Sequence, residues 1–289
     1  MTLAHRLRAA AGANAGGEVY TVGLKLHWDF GDTNCWDGTS STINDLSGWS
    51  GGNTHGTVNM STNPPSLATG NGGYMLNSAT PEYNNIQFYR DLYDFGIGMG
   101  EFTIEIWHNS PAYIYPGGGY PLNNTLIRFD WADFHNWNSS QIRDMKVRLG
   151  FQQPSTYVSQ LEGTGFEDPW NWNGFYGNNL EGSGSTFTYW DSGEPTSNPP
   201  TGWEQIVLSR DAVNTNNNMK IYRNGTLINT TTNNIDYTPM QITYKFSESR
   251  FGNNIPNGAT AIYRIYDGNG LTAAQVLGNF KAQRSRFGI

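Results

Sequence analysis

Met219-Lys-Ile-Tyr-Arg-Asn-Gly-Thr-Leu-Ile-Asn229 decides the fold class of this 289-residue chain. Two short runs rich in apolar residues flank Asn224-Gly225, and both central positions of a two-residue type I′ turn need positive φ. Asn and Gly tolerate that backbone better than other residues. The stretch therefore reads as a hairpin, with Met219–Tyr222 paired to Thr226–Asn229. Working outward, Trp203–Ser209 precedes it as an apolar strand and Ala261–Tyr266 follows it as another. Phe102, Ile104 and Ile106 line one face of a further strand, with Glu101, Thr103 and Glu105 on the other. Val22, Leu24, Leu26, Trp28 and Phe30 alternate over five apolar steps, and Leu126–Phe129 and Met145–Phe151 add two more strands. One helix is expected. Thr272-Ala-Ala-Gln275 has the spacing of a capping box, and Val276, Leu277 and Phe280 form its apolar stripe.

Composition agrees with a β protein. Lys and Glu, the usual formers of exposed helix surface, number only 5 and 10, whereas Asn and Gly number 33 and 35. Such a chain does not build a helical bundle. Its 14% aromatic content argues equally against disorder, because it supplies apolar surface to bury. Charged residues make up 14% and the net charge is −7, so nucleic acid is not an expected partner: non-specific binding rests on Lys and Arg at phosphates. One cysteine, Cys35, rules out an intrachain disulfide framework and is expected to be a buried, inert thiol. No apolar run approaches the ~20 residues that span a bilayer.

Two parts of the chain depart from the strand pattern. Residues 1–19 read as an anchoring arm, Ala- and Gly-rich and carrying Arg6 and Arg8, and its expected role is attachment to a neighbouring subunit. Residues 20–289 read as one domain with an inserted loop region at about 130–200. That insert contains Asp130-Trp-Ala-Asp-Phe-His-Asn-Trp137 and then nearly fifty residues, Pro154 to Pro200, with little periodicity and many aromatics. Structureless loops of that length are usually functional or disordered, and the aromatics favour function.

Several stretches, in order, resemble the concanavalin A-like, laminin-G-like modules that are frequent in bacteriophage structural proteins. Asp29-Phe-Gly-Asp32, Trp36-Asp-Gly38, Asp45-Leu-Ser-Gly48 and His55-Gly-Thr-Val58 resemble the opening of such modules. Glu101-Phe-Thr-Ile-Glu-Ile-Trp107 looks like the early core strand, and Trp203–Arg210 with Lys220–Gly225 is similar to the central hairpin. Ile262-Tyr-Arg-Ile-Tyr266, Leu271–Phe280 and Arg286-Phe-Gly288 look like the closing strand, helix and tail of virion proteins. The resemblance covers about 20–129 and 201–289. It implies an all-β, two-sheet jelly-roll sandwich with one short C-terminal helix and long aromatic-rich loops. For the closing tail it implies a virion setting. It implies no chemistry.

Glycoside hydrolases of this fold carry three acids at alternate positions of one strand. Here those positions are Glu101, Thr103 and Glu105, so the middle acid is missing. Glu101 and Glu105, four residues apart, are separated by about 13 Å along the strand. Paired glycosidase carboxylates sit roughly 5–9.5 Å apart. There is no G-x-S-x-G elbow, H-E-x-x-H or phosphate loop, and Gly96-Ile-Gly-Met-Gly100 leads into a strand rather than a helix. The histidines (His5, His27, His55, His108, His135) lack metal-ligand spacing, and Asp133 with His135 has only proximity to recommend it. No catalytic residue is assigned. Asp29, Asp32, Asp37 and Asp45 could offer oxygen ligands to Ca²⁺, although Asp in turns mostly caps its own backbone.

Two functions follow. One is a non-enzymatic virion structural protein, a capsid decoration or tail-fibre component held through its arm, packed against other virion proteins as a homo-oligomer or symmetric array. The other is a lectin-like adhesin binding host-surface polysaccharide. Its candidate contacts are Trp131, Asp133, Trp137, Trp170, Trp172, Asn173 and Tyr176, since aromatic faces stack on sugars and short polar groups bond their hydroxyls.

Overall fold

Asn224 and Gly225 hold φ of 50° and 76°, and the hairpin forms around them. The computed structural model of the chain describes residues 18–50, 56–58, 60, 64–77, 86–88, 101–109, 124–134, 142–152, 156–163, 189–191, 202–210, 219–230, 245–251 and 258–289. Arg6 and Arg8 of the arm, the glycine run at 96–100, and Trp137, Trp170, Trp172, Asn173 and Tyr176 lie outside the described residues.

In chain order the strands are β1 (Leu24–Asp29), β2 (Thr42–Ile43), β3 (Gly56–Thr57), β4 (Ser66–Ala68), β5 (Tyr74–Leu76), β6 (Ile86–Phe88), β7 (Phe102–Asn109) and β8 (Asn124–Phe134). They continue as β9 (Ile142–Gln152), β10 (Thr156–Gly163), β11 (Tyr189–Asp191), β12 (Glu204–Arg210), β13 (Met219–Arg223), β14 (Thr226–Thr230), β15 (Lys245–Phe251) and β16 (Ala259–Asp267). One α-helix, α1 (Ala273–Phe287), closes the chain. The strands form two eight-stranded antiparallel sheets, the two layers of an all-β jelly-roll sandwich. The first sheet runs β14-β13-β12-β7-β16-β5-β4, with β1 also on β16; the second runs β11-β10-β9-β8-β15-β6-β3-β2.

In the first sheet β16 serves two neighbours along one edge. Ala259 and Thr260 pair with β5, while Ile262–Tyr266 pair with β1. A register irregularity between Thr260 and Ile262 marks the change. Phe30, just beyond β1, closes the junction with a 2.9 Å bond from its N–H to the Ala261 carbonyl. Val22, the first apolar step of the expected β1 pattern, is exposed: Gly23 turns the chain at φ +78°, so the strand starts one step later.

Alternation along β7 holds, but its consequence differs from a half-solvated strand. Phe102, Ile104 and Ile106 are buried on one face, and Thr103, Glu105 and Trp107 are equally buried on the other. Two different covers produce this. The Phe102 face belongs to the sandwich interior. There Tyr263 meets Trp28 and Phe30 edge to face, and Phe30 meets Trp36 on the connection toward β2. The Trp107 face is covered by α1. Trp107 stacks on Phe280 at 5.8 Å and on Phe287 at 4.6 Å, and Phe287 also meets Trp203 at 4.7 Å.

The capping box forms as its spacing predicts. The Thr272 side chain accepts from the Gln275 N–H, and the Gln275 side chain accepts from the Thr272 N–H at 2.8 Å. Gly288 ends the helix in the left-handed conformation. The apolar stripe is corrected at one position. Leu277 is exposed, with Cδ1 lying beside Gly225, while Val276, Gly278, Asn279 and Phe287 are buried. The buried stripe follows i, i+3 and i+11, and Leu277 sits a further 100° round the helix.

Part of the region read as loop is strand. Residues 130–134 extend β8, and β10 and β11 lie within 154–200. Their sequences, Thr156–Gly163 and Tyr189–Asp191, carry no clear apolar alternation.

Candidate functional site

The acid strand was the place to look for catalysis, and its central acid is fully buried. Glu105 Oε1 accepts from Trp107 Nε1 at 2.9 Å, Gln205 Nε2 at 2.8 Å and Arg264 Nη1 at 2.9 Å. Its Oε2 accepts from Asn279 Nδ2 at 2.8 Å. Asn279 also donates to the Tyr266 hydroxyl at 3.0 Å and accepts from the Tyr20 N–H at 2.8 Å. One carboxylate thus ties β7, β12, β16 and α1 together beneath the helix. Glu101, by contrast, is exposed. A fully buried carboxylate held by four donors inside the protein is not presented to a substrate.

Beside this network, Thr103 Oγ1 accepts from the Leu271 N–H at 2.8 Å and Ser209 Oγ donates to the Leu271 carbonyl at 3.1 Å. These bonds pin the turn before α1 onto the sheet. Arg210 and Arg264 are both fully buried. His108 is buried as well, and its desolvation, with Arg223 nearby, holds its pKa down at about 3. His27 is likewise held at about 3, first by burial and then by the charge of Arg264. Neither histidine is a proton shuttle at neutral pH. Burial raises the Cys35 thiol to about 12, which fits the inert role expected of it.

The four aspartates of the Gly-rich opening each close a local turn. Asp37 Oδ1 accepts from Thr39 and Ser40 N–H groups, and Asp32 Oδ1 from the backbone and side chain of Asn34. Asp45 Oδ1 accepts from His27 and Ser47 N–H groups. Asp29 bonds Gly31 and forms an ion pair with Arg286 Nη1 at 2.8 Å. Arg286 then reaches the Gly73 and Asn71 carbonyls, so the end of α1 is clasped to the opening turn. Gly73 is required there: at φ +96°, an added Cβ would meet the Gly31 Cα at 2.6 Å. Among the described residues no group of three or more His, Cys, Asp or Glu side chains could hold a metal ion. No helix among them is long and apolar enough to cross a membrane.

Of the aromatic candidates, Trp131 and Asp133 lie on β8 rather than in a loop. Trp131 is opposite Met145 of β9 and Ser247 of β15, and Asp133 is opposite Arg143 and Lys245.

No protein-family model matches the chain, and no curated protein matches it. Among solved structures it is similar to the binding domain of Paraclostridial Mosquitocidal Protein 1, at TM-score 0.50 and 15% identity over 89% of this chain and 52% of that one. It is similar to Trypanosoma rangeli sialidase in complex with the inhibitor DANA, at TM-score 0.51 and 12% identity over 98% of this chain and 37% of that one. It also matches domain 4 of AbnA, a GH43 extracellular arabinanase from Geobacillus stearothermophilus in complex with arabinotriose, at TM-score 0.49 and 17% identity over 88% and 96%. The chain thus spans about half the first of these and well under half of the second. At these identities the likeness to the first two establishes the β-sandwich fold.

Proposed function

We propose that the chain is a non-enzymatic, lectin-like module that recognises glycans. The observation that carries this reading is the likeness of the sandwich to the binding domain of Paraclostridial Mosquitocidal Protein 1, at TM-score 0.50. The non-enzymatic part is supported by Glu105, which is fully buried and accepts from four donors inside the protein.

A glycan array probed with the intact protein tests the reading. Binding is expected, and Trp170→Ala with Trp172→Ala is expected to weaken it if the aromatic insert adds stacking contacts. No binding to any arrayed or host-derived polysaccharide overturns the reading, and release of reducing ends from one overturns its non-enzymatic part.

The virion setting implied by the closing tail, Ile262–Tyr266 through Arg286-Phe-Gly288, is a second proposal and compatible with the first. In it the arm, with Arg6 and Arg8, attaches the domain to other virion proteins. Deleting residues 2–17 is expected to abolish incorporation into particles and leave the domain folded; normal incorporation sinks that proposal.

A further inference from the structure

The chain just ahead of β1 is held by a clip of three side chains. The Tyr20 N–H donates to Asn279 Oδ1 at 2.8 Å, and the Tyr266 hydroxyl donates to the Tyr20 carbonyl at 3.0 Å. Asn269 Nδ2 donates to the Val22 carbonyl at 2.9 Å and to the Tyr20 hydroxyl at 3.2 Å. Three of these four bonds reach main-chain atoms. The Tyr20 ring lies 6.4 Å from the Tyr266 ring and packs on the buried cluster around it. Glu18, Thr21 and Val22 are exposed, so the clip recognises one tyrosine and the backbone around it.

What joins this segment to β1 is a tight turn. The Leu24 N–H donates to the Thr21 carbonyl at 3.2 Å, and Gly23, third in that turn, has φ +78°. A Cβ at Gly23 would meet the Asp267 carbonyl oxygen at 2.9 Å and the Asn269 Cβ at 3.1 Å, so the turn requires glycine. The residues beside it favour a different backbone. Thr21 and Val22 are β-branched, and Val22 opens the apolar alternation that continues through Leu24, Leu26, Trp28 and Phe30. That pattern suits a strand running straight through Gly23. The structure turns there instead and leaves Val22 38% exposed. A short hinge held against its local preference is where exchange of a segment between copies begins.

We infer that the clip of Tyr266, Asn269 and Asn279 is an interface between two copies of this chain, taking residues 18–22 of the second copy when the turn at Gly23 straightens. Each copy then places its Tyr20 in the other's clip, a closed two-fold exchange that remakes the hydrogen bonds of the single chain. Because those bonds are the same in both arrangements, the hinge and the protein concentration set the balance. Asn279 also bonds Glu105, so a filled clip completes the buried network whichever copy fills it. The inference rests on neither the glycan nor the virion reading.

Sedimentation of the full chain across a wide concentration range tests it. The unaltered chain is expected to dimerise slowly and reversibly as concentration rises. Gly23→Val strains the turn and suits the straight hinge, and should raise the association constant about tenfold or more. Gly23→Cys with Asn269→Cys locks the turn instead, since the two Cβ positions lie 3.1 Å apart, close to the separation in a disulfide. The buried Cys35 does not compete for that bond. Oxidised at low concentration, this double variant should stay monomeric when concentrated; reduced, it should dimerise. A Gly23→Val chain that stays monomeric with a lowered thermal midpoint overturns the inference. So does a dimer that persists with the disulfide closed, which would place the contact on another surface. Where Gly23→Val does not fold, a reduced double variant as monomeric as the oxidised one overturns it.

Discussion

Two regions of this chain use their polar residues in opposite ways. At the centre of the first sheet, both faces of β7, β12 and β16 are buried, one inside the sandwich and one under α1. There Glu105, Gln205, Arg264 and Asn279 are ties between elements far apart in the chain. In the opening turns, Asp32 and Asp37 instead accept from backbone N–H groups two or three residues away. The difference teaches which polar groups depend on the tertiary structure and which a few residues hold by themselves.

The largest expected effect tests the internal ties. Glu105→Gln removes the counter-charge of a fully buried Arg264, and breaking such a pair costs about 3–5 kcal/mol. Urea unfolding should show that loss; a change below ~1 kcal/mol would mean that the network is incidental. Next comes pH. His27 and His108 are neutral in the folded protein at about 3 and regain a pKa near 6.5 when unfolded. The unfolded state then binds more protons between those values, so the stability they contribute is complete above pH ~6.5 and declines as the pH falls toward 3. A loss on the order of 1–2 kcal/mol per histidine is expected by pH 5, and His108→Gln should flatten that slope. Equal stability at pH 5 and 7.5 would contradict the burial of both rings.

Smaller effects sharpen the contrast. Thr272→Ala removes the N-cap of α1 and should cost about 1 kcal/mol. Because α1 covers the Trp107 face, the same variant should increase hydrogen exchange along α1 more than in β8–β10. The smallest change is expected in the opening turns: Asp37→Asn keeps an acceptor at an exposed position and should alter stability by no more than ~0.5 kcal/mol. A loss above ~2 kcal/mol would show that this turn depends on distant partners as the centre of the first sheet does, and the contrast between them would fail.

Much of the fold could be read from residues alone. Asn224-Gly225 announced its turn because positive φ at two successive positions leaves few residue choices, and Thr272 with Gln275 announced the helix start because capping is local. The strand β7 carried a period-2 apolar pattern, and β12 and β16 carried apolar runs, strong enough to stand out singly. What stayed hidden was anything depending on partners distant in sequence. Gln205 in β12 and Asn279 in α1 are polar positions whose purpose shows only where both meet Glu105. Trp131 looked like a loop aromatic because β10 and β15, which complete its sheet, are weakly patterned. The contacts expected at Trp170, Trp172, Asn173 and Tyr176 lie outside the described residues.

By itself, then, the sequence determined the local geometry of this protein: a β chain with an Asn-Gly hairpin, a capped C-terminal helix and aspartate-closed turns. These depend on φ preferences and on hydrogen bonds spanning a few residues. Only the tertiary structure decided what the charged residues are for. Glu105 became a buried tie because α1, more than 160 residues later, covers its strand face. Arg286 became a clasp because the end of α1 lies against Asp29 and Gly73, more than 200 residues earlier in the chain.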